Sequence, residues 1–404
     1  MQHSADDITS LYSNLEKQIF NRIIFYLSNS SYKNVDKDNV LMWQAEQLSN
    51  MGMLTDDVIK LLSEVTGEAE PMIKKLIVDN GIEIEDDLSS QLSNMMQRSK
   101  ISADSSMLLN GLMKQTFSSM NNVVNQSLIS RNYGQNSATR TYQDIINKST
   151  IETISGLKTH EQAIFDNVNK WVKAGMKSNL VDNAGHNWSL EGYTRMVINT
   201  AAHNTYNQTR MNVMDKYGVT LAMMSSHAAS RPACAPIQGL VVNTVPSSDP
   251  RYNPKYDSIY NHGYGEPAGT QGINCHHELF PYIEGVTTNP FTHPNTEEAI
   301  KKGKIQQKQR ALERRIKNDK KSLDTAKKLG NNDDVLKAKG KQKQHWFEMH
   351  SLIKNNKFLK RNYDRERFIT PKPELTKDEQ EKHDKFVRDV KKLINDKERN
   401  KKNK

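Results

Sequence analysis

Apolar residues recur at helical spacing along most of this chain. Leu11, Leu15, Ile19 and Ile23 fall four apart and so share one face. Val40, Trp43, Leu48 and Met51 form a second stripe, with Gly52 placed to cap it. Thr55, followed by Asp56 and Asp57, predicts a new helix start: a hydroxyl cap with two acids at the positive end of the helix dipole. A further helix is expected after Gly67, with Pro71 in its first turn and Met72, Ile73 and Leu76 behind it. Leu108, Leu109, Leu112, Phe117, Met120, Val124 and Leu128 keep the rhythm through a stretch otherwise rich in Ser, Asn, Gln and Met. Asn132–Thr141 lacks an apolar period and reads as a break. Ala163, Ile164, Val168, Trp171 and Val172 mark a helix ending near Gly175. Ser189 then caps a long helix reaching Gly218, on which Arg195, His203 and Arg210 fall near one face.

The rhythm changes after Gly218. Val219–Ser225, Gly239–Val245 and Glu278–Ile283 are short apolar or β-branched runs, and they predict three strands. From Asn295 the pattern is helical again. Ile305, Leu312, Ile316 and Leu323 make a narrow seam among Lys and Arg, Gly330-Asn331-Asn332 breaks it, and a second helix carries Trp346, Phe347, Leu352 and Ile353. Thr370-Pro371-Lys372-Pro373 reads as a linker, and the end of the chain as a charged, frayed tail. The expected fold is α+β, predominantly α-helical, with a small central strand-and-loop unit and a basic helical C-terminal arm. The expected regions are helical 1–80, polar helical 81–150, central α+β 156–290, basic arm 295–370 and disordered tail 371–404.

Composition adds two points. Only 35% of the 404 residues are hydrophobic and the mean hydropathy is −0.78, so much of the helical surface must be solvated. No run approaches about 18 apolar residues, so no membrane span is expected, and no secretory signal is visible at the start. The net charge of +10 is unevenly spread. From Lys301 onward there are 34 Lys and Arg against 16 Asp and Glu, while the first 300 residues hold 23 against 31. A mildly acidic body thus carries a basic arm, and cationic arms bind polyanions by releasing counterions. Lys308, Arg310, Arg314, Arg315 and Lys317, at the start of the arm, are candidate contacts to double-stranded DNA or to a protein partner.

Chemistry-bearing side chains concentrate between Ser225 and Gly285. Both cysteines lie here, Cys234 and Cys275, with His227, His262, His276 and His277. Two cysteines 41 positions apart are no disulfide framework, which suits a reducing compartment. Three readings are open. His227, Cys234, Cys275 and His277 offer the donors of a Cys2His2 zinc site; on an extended strand Cys275 and His277 share a face and His276 points away. Neither half has the usual CxxC or HxxxH spacing. Alternatively, Cys275 could act as a thiolate nucleophile or His227 as a general base, but no acid partner is evident, since Asp249 and Asp257 sit in a loop with a structural look. The third reading is structural and is favoured. Ser226, Arg231, Pro232, Gln238 and Gly239, with Gly272 and Asn274, would fix a tight chain path, buried His and Asn side chains would satisfy loop backbone, and the cysteines would be small buried groups.

The residues of this stretch also carry a resemblance. SSH, RPACAPIQG, GINCHH and PYIEG, in that order, resemble the phage minor capsid protein 2 family and, more distantly, Mu F-like head-morphogenesis proteins. LEKQIFNRI, WQAEQL and LTDDVIKLL resemble that family's opening helices, and QQKQRALERRIK its C-terminal helix. Ile237 stands where the pattern has tryptophan, and His276 where it has arginine. The resemblance implies a structural head protein of a tailed bacteriophage. It further implies a portal or capsid partner, packaged DNA nearby, and a place in the virion after assembly in the bacterial cytoplasm. The competing class is a virion-carried metal-dependent enzyme, a nuclease or toxin-like module, using the His/Cys cluster. No helix-turn-helix, zinc-finger or basic-zipper signature is present that would read bases.

Overall fold

The computed structural model describes residues 1–32, 34–122, 128, 136–181 and 187–368. The tail 371–404, the linker at 370–373, Val124 and the first part of the expected break at 132–135 lie outside them.

The N-terminal stripe builds α1 (Gln2–Ser28), with Leu15, Ile19 and Ile23 fully buried. Next come α2 (Val40–Ser49) and α3 (Met51–Lys74). Here the structure corrects the expected breaks. Gly52, Thr55, Gly67 and Pro71 all lie within α3. Thr55 is no cap: its hydroxyl bonds back to the Met51 carbonyl at 2.9 Å and meets the Thr139 hydroxyl at 3.1 Å, so it serves a buried helix contact. Pro71 is tolerated without a break. A π-helical turn, Lys75–Asp79, follows directly and carries the chain into α4 (Asn80–Met96). The polar segment then folds as α5 (Ser106–Met120), burying Leu109, Leu112, Thr116 and Met120.

Within the expected break, Asn136 caps a helix, accepting from the Ala138 and Thr139 N–H groups at 3.0 Å each, and α6 runs Ser137–Ile154. Helix α7 (His160–Ala174) starts on the Thr159 hydroxyl and stops at Gly175, whose φ of +76° no side-chain-bearing residue adopts readily. A short antiparallel pair, β1 (Lys177–Val181) and β2 (Asn187–Ser189), leads into α8 (Leu190–Lys216). Ser189 Oγ accepts from Gly192 N–H at 3.1 Å, as its position before the apolar run predicts. Ser189→Ala should therefore cost about 1 kcal/mol in urea denaturation without changing the spectrum of the folded protein. An unchanged unfolding midpoint would remove the cap from the account of α8.

Helix α8 packs on α1, α4 and α5, so it lies at the centre of the helical body. It delivers the chain to β3 (Leu221–Met224), the middle strand of an antiparallel sheet ordered β4-β3-β5. Strand β4 (Val241–Asn243) pairs Ala222 with Val242, and β5 (Leu279–Pro281) pairs Met223 with Phe280. The three strands fall inside the runs expected from the sequence. Their apolar face joins Leu88 and Leu92 of α4, Val213 and Met214 of α8, and both cysteines in a second core, distinct from the larger helical one.

The arm is a helical hairpin, α9 (Thr296–Lys328) and α10 (Asn332–Asn355), closed by Leu312, Ile316 and Met349 and broken at the Gly330-Asn331 turn. The fold is thus predominantly α-helical, with one two-stranded and one three-stranded sheet among the described residues. No helix among the described residues is long and apolar enough to cross a membrane.

Candidate functional site

Cys234 sits in a tight turn. Its own N–H and that of Ala235 reach the Arg231 carbonyl, and Ile237 and Gln238 N–H reach the Cys234 carbonyl. Cys275 closes another turn onto the Gly272 carbonyl at 2.9 Å, with Asn274 in the left-handed region at φ +56°. Asn is among the residues that tolerate this region best. Asn274 itself is exposed, so it sets the turn's backbone and does not satisfy buried polar groups as expected. The two turns bring the buried sulfurs to 3.9 Å, and His277 Nδ1 lies 3.5 Å from Cys275 Sγ. The donor atoms of Cys234, Cys275 and His277 all fall within 4.8 Å of one another. Among the described residues they are the one group of three or more His, Cys, Asp and Glu gathered closely enough to hold a metal ion.

Gln238 fixes the chemistry of this group. Its Oε1 accepts the His227 backbone N–H at 2.9 Å, a group that can only donate. The same oxygen lies 3.1 Å from His277 Nε2, which must therefore carry the proton. His277 Nδ1 is left with its lone pair toward Cys275. Cys234 and Cys275 share a sulfur–sulfur hydrogen bond that pushes the Cys234 thiol up and holds Cys275 down. Burial opposes the Cys275 thiolate, while His203 and His277 support it.

His227, expected as a fourth donor, does not join the other three. Its Nε2 is 3.1 Å from the His276 carbonyl and so must donate to it, and its ring stands edge-on to His277 at 4.6 Å. A position seven residues before Cys234 does not say where an imidazole points. His276 is exposed. Asp249 and Asp257 are engaged elsewhere, with Arg251 at 2.9 Å and His262 at 2.8 Å. The loop that carries them is held together by such pairs.

The remaining motif residues build the frame. Arg231 donates to the Ile273 carbonyl at 2.6 Å and to Gly269 at 3.4 Å, tying one turn to the other. Pro232 is exposed on the same turn and Ser226 is half-buried beside the His227 backbone. At Gly272 a Cβ would lie 2.3 Å from the Glu266 carbonyl oxygen, so the loop closes only on glycine. Gly239 has φ +75°, and its N–H pairs with Met224 at the end of β3.

One face of α8 supports the sheet. Arg210, buried, donates Nε to the Leu279 carbonyl at 2.9 Å and places its guanidinium 4.8 Å from the Phe280 ring centre. Asn207 Oδ1 accepts Leu279 N–H at 3.0 Å. The helical spacing pointed to His203 and Arg210 but passed over Asn207, because an Asn inside a polar helix carries no signal of burial.

The arm divides its cations. Lys317 pairs with Glu191, and Lys321, buried, lies between Glu16 at 3.4 Å and Glu191 at 3.5 Å. Arg310 holds Glu313 at 2.9 Å. Burial opposes the charge on Glu191, but Lys317 and Lys321 together outweigh it and hold its carboxyl at about 2. Of the five candidate contacts, then, Lys317 and Arg310 are engaged within the protein, and Lys308, Arg314 and Arg315 are exposed. Lys339, Lys341 and Lys343 of α10 are exposed as well.

No solved structure matches this chain. A relative from Lactococcus phage LL-H, described as a structural protein, is 43% identical over 362 residues, 89% of this chain and 98% of its own length. A second, from Lactococcus phage mv4 and also described as a structural protein, is 46% identical over 107 residues, 26% of this chain and 87% of its own length. Residues 1–354 match the family described as Phage minor capsid protein 2, which spans the helical body, the sheet with its cysteine turns and nearly all of the arm, so the chain belongs to that family of phage structural proteins.

Proposed function

We propose that this protein is a minor component of the phage head, assembled in the bacterial cytoplasm beside the portal or capsid shell, and that it contacts packaged double-stranded DNA through its arm. The observation that carries the DNA contact is the division of charge on α9 and α10. The inward cations are matched by Glu191, Glu16 and Glu313, whereas Lys308, Arg314, Arg315, Lys339, Lys341 and Lys343 are exposed. Such a surface attracts phosphate without reading bases. The same hairpin exposes Leu336, Trp346 and Phe347, large apolar groups that suit contact with a protein neighbour.

Full-length protein should bind random-sequence duplex DNA, and the affinity should fall steeply with salt. The triple variant Lys308→Glu, Arg314→Glu, Arg315→Glu should bind at least about tenfold more weakly, with the log–log salt slope reduced by up to about 3. Its unfolding midpoint should stay close to wild type, since the three side chains are exposed. No detectable binding by the full-length protein at low salt would overturn the DNA contact. Mass spectrometry of purified virions tests the location separately, and absence of the protein from particles would overturn it.

A further inference from the structure

We propose that Cys234, Cys275 and His277 hold a zinc ion that clips the two cysteine turns together. The spacing of the donors is the first reason. Zinc–sulfur bonds of about 2.3 Å and zinc–nitrogen bonds of about 2.0–2.1 Å, at tetrahedral angles, put two sulfurs about 3.8 Å apart and a sulfur and nitrogen about 3.6 Å apart. Cys234 and Cys275 sulfurs are 3.9 Å apart, and Cys275 Sγ is 3.5 Å from His277 Nδ1. A disulfide would need about 2.05 Å.

The second reason is the state of His277. Gln238 Oε1 takes the Nε2 proton, so the bare lone pair is on the nitrogen that faces the sulfurs. Metal-bound histidines characteristically donate their other ring N–H to a carbonyl or carboxylate oxygen in this way. Thr270 Oγ1, 3.6 Å from Cys234 Sγ, stands beside the same sulfur.

His227 stands outside the donor group, since its Nε2 donates to the His276 carbonyl. Three protein donors leave the fourth position of a tetrahedral ion to solvent or a further ligand. Binding replaces the two S–H protons by the ion and releases them to solvent, so affinity rises with pH. The inference stands apart from the DNA contact, which involves other residues.

Metal titration of the full-length protein, stripped by chelator under reducing conditions, tests this. Cobalt(II) should bind at about one per chain, give thiolate-to-cobalt charge-transfer and four-coordinate visible bands, and be displaced by zinc. Gln238→Leu should weaken zinc binding by about tenfold or more through loss of the His277 orientation. His227→Ala should change it less than about twofold. His227 is exposed, so this variant does not depend on a cysteine variant folding. Absence of bound cobalt, or of thiolate-to-cobalt bands, would overturn the site. A loss in His227→Ala as large as that in Gln238→Leu would overturn the donor set.

Discussion

Replacing Lys321 with alanine is expected to lower the unfolding free energy by about 3–5 kcal/mol, measured by urea denaturation of the full-length protein. Its ammonium lies between Glu16 and Glu191, and all three are largely shielded from water. Coulomb attraction in a poorly solvated site compensates the desolvation of three charges only while all three are present. Without Lys321, Glu191 keeps Lys317, but Glu16 loses the cation in contact with it. Adding Glu16→Gln to Lys321→Ala should recover part of the loss, because an unpaired buried carboxylate becomes a neutral amide. A Lys321→Ala protein with wild-type stability would show the triad to be hydrated in solution.

The same triad predicts the acid limb of the stability curve. Glu191 is held at about 2, below its ordinary value near 4.5. A group whose folded value is depressed stabilises the fold fully above its unfolded value, and this is lost as pH falls. The contribution of Glu191 should be complete above about pH 5 and decline from there toward pH 2. In Glu191→Gln, stability should be lower at neutral pH and flatter across that window.

Gly239→Ala is expected to cost about 2–5 kcal/mol, from two sources that can be separated. The left-handed backbone at φ +75° alone penalises a Cβ. In addition, the new methyl would lie 2.3 Å from the Thr292 carbonyl oxygen and 2.9 Å from His293 N, both backbone atoms. The strap that carries them is fastened nearby. Asn289 donates to the Gly239 carbonyl at 2.8 Å, and His293 Nδ1 meets the Gln238 carbonyl at 2.8 Å. Gly218→Ala is the control. It has φ +72° but nothing within 4 Å of the added atom, so it should cost only about 1–2 kcal/mol. Equal losses at the two glycines would mean that the strap gives way and that close approach does not fix the Cys234 turn.

Where a single local signal decides structure, sequence and structure agree. Ser189, Gly175 and the Gly330-Asn331 turn mark helix ends by their own backbone chemistry, and the three strands announce themselves by short apolar runs between turns. Gly52, Thr55, Gly67 and Pro71 misled because each is a helix breaker only on average. Inside α3 the tertiary contact through Thr55 to Thr139, and a face of buried Leu54, Val58, Leu62 and Val65, override them. At the site, the spacing of Cys275 and His277 placed them on one face, and both are buried there. The role of Gln238 was not legible. An amide in a turn says nothing about which backbone N–H will orient its oxygen. The misplacement of His227 has the same cause, since its partner is a backbone carbonyl 49 positions away.

The buried carboxylate of Glu16 also orders the making of the protein. Besides Lys321 it accepts Met176 N–H at 3.2 Å and Glu191 N–H at 3.4 Å, so helix α1 is anchored to groups that leave the ribosome long after it. A nascent chain that ends before α9 must either bury this acid without its cation or hold α1 open with its apolar stripe uncovered. Loop closure across 305 residues comes late and slowly, so the body can lock only once α9 has been made. Copies truncated before α9 would therefore have no stable α1 face.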